Sequence, residues 1–201
     1  MNIRRNGLLL LIALTVVHAA DNGKNRFSPK PAASYPFHQT NGKVTIAAVP
    51  YEDDEQARTA FDKRNPYKYG VLPVLLVIQN DSGSALRLDG MRVEYTTPDG
   101  SRIEATPAAD VRFISGPEKP NLAPNPLPIP RRAKKNPLDM WEIEGRAFSA
   151  KMLPAGEAAH GFVYFQTRHS PNSRIYITGL SEASTGKELF FFDIPFTADK
   201  P

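Results

Sequence analysis

The chain has 201 residues, 41% of them hydrophobic, with 19 prolines, no cysteine and a formal net charge of +4. That composition excludes a disulfide framework and a cysteine nucleophile. The near balance of 25 basic and 21 acidic residues gives no general argument for nucleic acid or an anionic membrane surface as a partner.

The N-terminus reads as an export leader, residues 1–20. Arg4 and Arg5 form a basic start, and residues 7–17, GLLLLIALTVV, form an apolar run that is short for a membrane-spanning helix. Val17 and Ala19 are small residues at the two positions a signal peptidase reads, so cleavage is expected after Ala19 or Ala20. The alternative is an anchor that is never cut. The double arginine resembles a twin-arginine signal only in part, and no cysteine follows for lipidation. Cleavage would remove Arg4 and Arg5, leaving 23 basic against 21 acidic residues, a charge of +2. About 180 residues would remain, the size of one domain. No second apolar stretch is long enough to span a membrane, and the expected location is periplasmic or extracellular.

Residues 21–42 are polar and read as a flexible segment pinned by Tyr35, Pro36 and Phe37. Residues 43–197 read as one domain. KVTIAAVP (43–50) is a strand with Val44, Ile46 and Ala48 on one face. In YEDDEQARTAF, Asp53 or Asp54 caps a helix over 53–62, with Ala57, Ala60 and Phe61 at helical spacing. NPYKYG (65–70) is a loop. VLPVLLVI (71–78) is apolar on both faces, which predicts a central strand with its outer face covered by that helix or by the Pro-rich insertion described below. Pro73 belongs near the strand's start. A turn at Asn80-Asp81-Ser82-Gly83 leads to a short strand, ALRL. MRVEYTT (91–97) and SRIEAT (101–106) alternate around the Thr97-Pro98-Asp99-Gly100 turn. This is a hairpin with Met91, Val93 and Tyr95 inward and opposite charges facing one another on its wet side.

DVRFI (110–114) reads as another strand. The composition then changes: residues 117–137 hold seven prolines, which excludes helix and central strand and favours extended backbone. Beyond it, the spacing of Leu138, Trp141, Phe148 and Met152 predicts a helix within 136–153, weakened by Gly145. HGFVYFQ (160–166), RIYITGL (174–180) and ELFFFDIPF (188–196) are the last strands, with Asp193 interrupting an aggregation-prone edge. About eight short strands joined by turns predict an all-β fold. The expected form is an antiparallel immunoglobulin-like β-sandwich with one or two short helices and a Pro-rich insertion. A closed barrel is the alternative.

Three stretches carry a resemblance: GVLPVLLVIQNDSGSALRL (70–88), LPAGEAAHGFVYF (153–165) and IYITGLSEASTGKELFFFDIPF (175–196). Together they resemble exported bacterial proteins with an immunoglobulin-like sandwich. In those, an apolar strand ends in Asn at a turn, a Pro-Gly turn leads into a Gly-aromatic strand, and a hairpin closes the chain. The resemblance implies a fold class and a compartment. It carries over no catalytic residue, and the Pro-rich insertion is not a general feature of the type.

Chemistry is sparse. The histidines after the leader, His38, His160 and His169, have no metal-ligand spacing, so no metal or other cofactor is expected. There is no nucleophile elbow and no phosphate-binding glycine loop. Asp53, Asp54 and Glu55, and separately Glu142 and Glu144, are the only carboxylate clusters that a hydrolase could use. The first reads better as a helix cap and the second as a solvated helix face. Asn80-Asp81-Ser82 matches a glycosylation sequon.

The insertion is the feature a bare sandwich does not need. It is either extended cover for a sheet face or a docking surface. The docking set is Pro124, Pro126, Pro128, Pro130, Arg131, Arg132, Lys134, Lys135 and Trp141, a stiff backbone beside a positive field with an aromatic anchor. A third reading uses Phe162, Tyr164, Phe165, Tyr176, Phe190, Phe191 and Phe192 to hold a sugar or an apolar ligand. The reading that results is a non-catalytic exported module that binds an envelope protein. A ligand-binding module, or a carboxylate-dependent hydrolase, is the alternative.

Overall fold

The apolar run at 71–78 decides the architecture. A strand without a polar face has to be covered on both sides, and the computed structural model, which describes residues 27–62, 64–114 and 136–197, supplies both covers. In chain order the strands are β1 (His38–Asn41), β2 (Val44–Pro50), β3 (Leu72–Asn80), β4 (Leu86–Arg87), β5 (Arg92–Thr96) and β6 (Arg102–Glu104). They continue with β7 (Met152–Leu153), β8 (Ala158–Phe165), β9 (Arg174–Thr178), β10 (Ser181–Glu182) and β11 (Phe192–Pro195). The helices are α1 (Asp54–Phe61) and α2 (Trp141–Gly145).

All strand pairs are antiparallel. One sheet has the order β1-β2-β3-β8, the facing sheet β11-β9-β5-β6, and a small sheet β10-β4-β7 accompanies them. The expected antiparallel sandwich is therefore present, with two short helices. It is not a closed barrel. Edge strands β1 and β11 are joined through side chains, Asn41 Nδ2 donating to Phe191 O (2.9 Å) and Asp193 N to Gln39 Oε1 (2.6 Å).

The alternation of β3 divides the interior. Val74, Leu76 and Ile78 join Val44, Ile46 and Ala48 of β2 and Val93, Tyr95, Ile175 and Ile177 of the facing sheet in the central core. Leu75 and Val77 point the other way and pack with Phe61 of α1, Ile143 of α2, Phe162 and Tyr164. Each such side chain contributes about 1.5–3 kcal/mol by leaving water, so two apolar layers stand in for absent disulfides. Pro73 lies at the second position of β3, and Asp53 caps α1 by accepting from Glu55 N at 2.8 Å.

Several expectations differ from the structure. Residues 27–42 do not form a flexible segment. Ala32 is fully buried, Phe27 packs on Phe162 with ring centroids 5.4 Å apart, and residues 38–41 pair as β1. Residues 110–114 are not a strand: 110–113 lie in a 3-10 helix, Ala108–Phe113, and Ile114 caps it. The edge of β8 that such a strand would need is taken by Thr106 N, which donates to Tyr164 O at 2.7 Å, and by Phe148 N, which donates to Phe162 O at 2.9 Å. The helix expected within 136–153 stops at Gly145, because residues 146–148 turn to make that second contact. Trp141 and Met152 therefore do not share a buried helical face; both are exposed. The sequon fails too: Asn80 is fully buried, so its amide is closed to a transferase in the folded state. The last strand is shorter than expected, and Phe190 and Phe191 precede it, exposed.

Candidate interaction surface

The helix-covered side of the first sheet carries the roots of the insertion. Of the residues singled out in the sequence, Pro124, Pro126, Pro128, Pro130, Arg131, Arg132, Lys134 and Lys135 lie outside the described residues, and Trp141 lies within them. Ile114 and Asn136 bound the segment on its two sides. Those sides are fastened together. The Asn136 side chain donates to Arg112 O, Leu138 N returns a bond to Asn136 Oδ1 at 2.9 Å, and Arg64 reaches Asn136 O at 3.4 Å. Arg112 also pairs with Glu144 of α2. Leu138 and Ile143 are buried beneath, so the base is built on apolar packing.

Two aromatic rings stand out from this base. Trp141, the first residue of α2, is 69% exposed, and Phe113 is 71% exposed. Arg146 lies 5.9 Å from the Trp141 ring and 5.2 Å from that of Phe27, and it donates to Thr59 O at 3.1 Å. Arg112 lies 5.9 Å from Phe113. A Cβ at Gly145 would meet the Trp141 ring at 2.8 Å, so the indole packs directly on that glycine. Exposed aromatics held beside arginine are the composition of interface anchors. The sequence reading named Trp141 and did not name Phe113, Arg112 or Arg146. Its signal was there, an aromatic beside an arginine, but the strand assignment for 110–114 gave Phe113 an ordinary sheet position.

Three of the five carboxylates considered for catalysis are engaged elsewhere. Asp53 is committed to its cap, Asp54 pairs with Lys68, and Glu144 pairs with Arg112. Hydrogen bonds from Lys68 and Asn65 hold the Asp54 carboxyl below its ordinary range, the wrong direction for a general acid. Among the described residues no group of three His, Asp or Glu side chains is placed to hold a metal ion. Beneath the surface, burial pushes the Tyr51 phenol up to about 12, with the negative field of Tyr35 adding to it against Thr59 and Arg146. Burial also raises Tyr164, whose hydroxyl donates to Ile143 O at 2.8 Å. Both phenols stay neutral and serve packing.

The aromatics considered for a sugar or apolar ligand separate by face. Phe165 and Phe192 are in the central core, Phe162 and Tyr164 lie under the helices, and Tyr176 is half-buried against Phe191. Phe190 is 84% exposed.

No family model matches the chain, and no curated protein matches it. Solved structures give loose likenesses. A candidate lipoprotein, ycdA, of Bacillus subtilis subsp. subtilis str. 168 is similar at 11% identity with a TM-score of 0.39, over 83% of this chain and 39% of that one. A functionally unknown protein of Listeria monocytogenes EGD-e is similar at 11% identity and 0.35, over 81% of each chain. The secreted protein MPT63 of Mycobacterium tuberculosis is similar at 13% identity and 0.31, over 83% of this chain and 99% of that one. The chain thus spans about two-fifths of the first.

Proposed function

We propose that this protein is an exported, non-catalytic module that docks on another protein of the cell envelope through the base and length of its Pro-rich insertion. The observation that carries the reading is the pair of exposed rings, Phe113 and Trp141, on the two elements that flank the insertion. Burying them against a partner removes apolar surface from water, and the arginines beside them supply charge-assisted contacts. The leader-like N-terminus supports export. The four basic residues at 131, 132, 134 and 135 favour an acidic partner surface.

The test places a photoreactive amino acid at position 113 or 141 in the native host. The expected result is one discrete adduct with the same envelope protein from both positions. Changing Arg131, Arg132, Lys134 and Lys135 together to Ser should abolish it. A chain that stays in the cytoplasm, or that gives no discrete adduct from either position, overturns the reading.

A further inference from the structure

A second feature lies away from that surface. A cleft of about 510 Å3 opens at one end of the sandwich, where three connections meet: the Gly42-Lys43 turn between β1 and β2, the loop after β3, and residues 182–190. Its volume is within the range of small-molecule sites. Val44 and Leu86, both buried, and half-buried Leu189 give it an apolar floor.

Around that floor the groups alternate in kind. Ser82 and Ser84 contribute hydroxyls, Lys43 and Lys187 donors, and Glu182 and Glu188 acceptors. Two cations and two anions cancel, so the cleft sets no net field that would select a charged ligand. Hydrogen bonds from the Ser84 and Thr185 hydroxyls hold the Glu182 carboxyl below its ordinary range, which keeps it an acceptor.

Phe190 completes the cleft. Its ring is the most exposed large apolar side chain among the described residues, although Phe192, two positions on, is fully buried. The segment is not loose: Leu189 N donates to Leu180 O at 2.8 Å, Ser181 bridges to Glu188, and Asn41 holds Phe191 O. Lys43 is likewise held in place. It adopts φ +65°, a left-handed conformation that costs a lysine about 1 kcal/mol or more, and its carbonyl accepts from Asp81 N at 2.9 Å.

We propose that this cleft binds a neutral mono- or disaccharide, with the sugar's C–H face against Phe190 and its hydroxyls on the rim. A sugar has one apolar face and a periphery of hydroxyls, which matches a single exposed ring beside mixed donors and acceptors. A wholly apolar ligand would strip water from the rim without replacing its hydrogen bonds. A phosphorylated one would gain little, because Glu182 and Glu188 offset the attraction of Lys43 and Lys187.

The test is saturation-transfer NMR on the purified chain with maltose, cellobiose and N,N′-diacetylchitobiose. At least one should receive magnetisation at its ring protons, and Phe190→Ala should weaken that binding about tenfold or more. Phe190 is exposed, so the variant should keep the wild-type melting temperature. Ser84→Trp, which fills the cleft, should abolish binding, while Trp141→Ala should leave it unchanged. That last arm separates this site from the envelope-docking surface, so each reading fails alone. Three results overturn the proposal: no transfer to any of the sugars, unchanged affinity in Phe190→Ala, or a chain dimer that buries Phe190 in place of a ligand.

Discussion

Asn80 is a single amide that fastens two loops, the one that follows it and the turn after β7. Its Nδ2 donates to Ser84 O at 2.9 Å, Leu153 O at 3.1 Å and Pro154 O at 3.0 Å, while its own Oδ1 accepts from Ser82. Removing it takes the side-chain donor from the buried Leu153 carbonyl and the acceptor from Ser82, at about 1–3 kcal/mol for each group left unpaired. Asn80→Ala should therefore lose about 2–4 kcal/mol in urea unfolding. Asn80→Asp should lose more, because a carboxylate would face those same carbonyls. An Asp variant as stable as the native chain would sink this account. The sequence shows Asn80 only as a turn residue, because Leu153 and Pro154 are more than seventy positions away and leave no local trace. His169 makes a second residue-scale case. Burial lowers its imidazole below the ordinary 6.5, with Glu52 opposing, and Nδ1 lies 3.2 Å from Tyr95 Oη. The unfolded chain then binds the proton more readily than the native one. The stability it contributes is complete above pH 6.5 and is lost as pH falls from there through the lowered native value. Melting temperatures from pH 8 to pH 5 should show that loss, and His169→Gln should flatten part of it. His160, lowered by burial as well, should retain the remainder.

At the scale of elements, the β5–β6 hairpin was the most legible part of the chain, since alternation and a Pro-Asp-Gly turn are both local signals. Its register was not. Glu94 stands directly across from Glu104, and the attractive partner, Arg102, reaches Glu94 diagonally at 3.2 Å. Glu104→Lys should replace a like-charge pair with an opposite one and stabilise the fold by about 0.5 kcal/mol. The gain should shrink in high salt; equal or lower stability at low salt would contradict the register. The two misread elements share a cause. Residues 110–114 and 146–153 carry apolar residues that suit strand or helix, and the choice between them was made by the edge of β8, which Thr106 and Phe148 occupy. A competition for one sheet edge cannot be read from either segment alone. The helix at 54–61 was legible because its cap, first-turn acids and apolar spacing all lie within one stretch.

For the whole molecule, the apolar run of β3 foretold two covered faces, and α1 was correctly named as part of the cover. The rest of the cover comes from residues flanking the insertion, Val111, Leu138 and Ile143, and from Ala32 at the N-terminal side. The described residues thus reach the outer face of β3 from both sides of the insertion. Replacing residues 116–134 with a short Gly-Ser linker should change the unfolding free energy by less than about 1 kcal/mol, because loop closure depends weakly on length. It should also abolish the envelope adduct. A large loss of stability would show the insertion to be structural cover instead. The seat of Phe27 has a mechanical consequence. The ring sits among Tyr51, His160 and Phe162, and Arg146 spans it and Trp141. Tension on the chain ahead of Phe27 is borne first by that aromatic contact and by the arginine shared with the exposed indole. β1, at the sheet margin, then peels from β2 one rung at a time, while β2, β3 and β8 stay locked. A pull at Phe27 would be felt at the exposed indole of Trp141 well before the sandwich itself gives way.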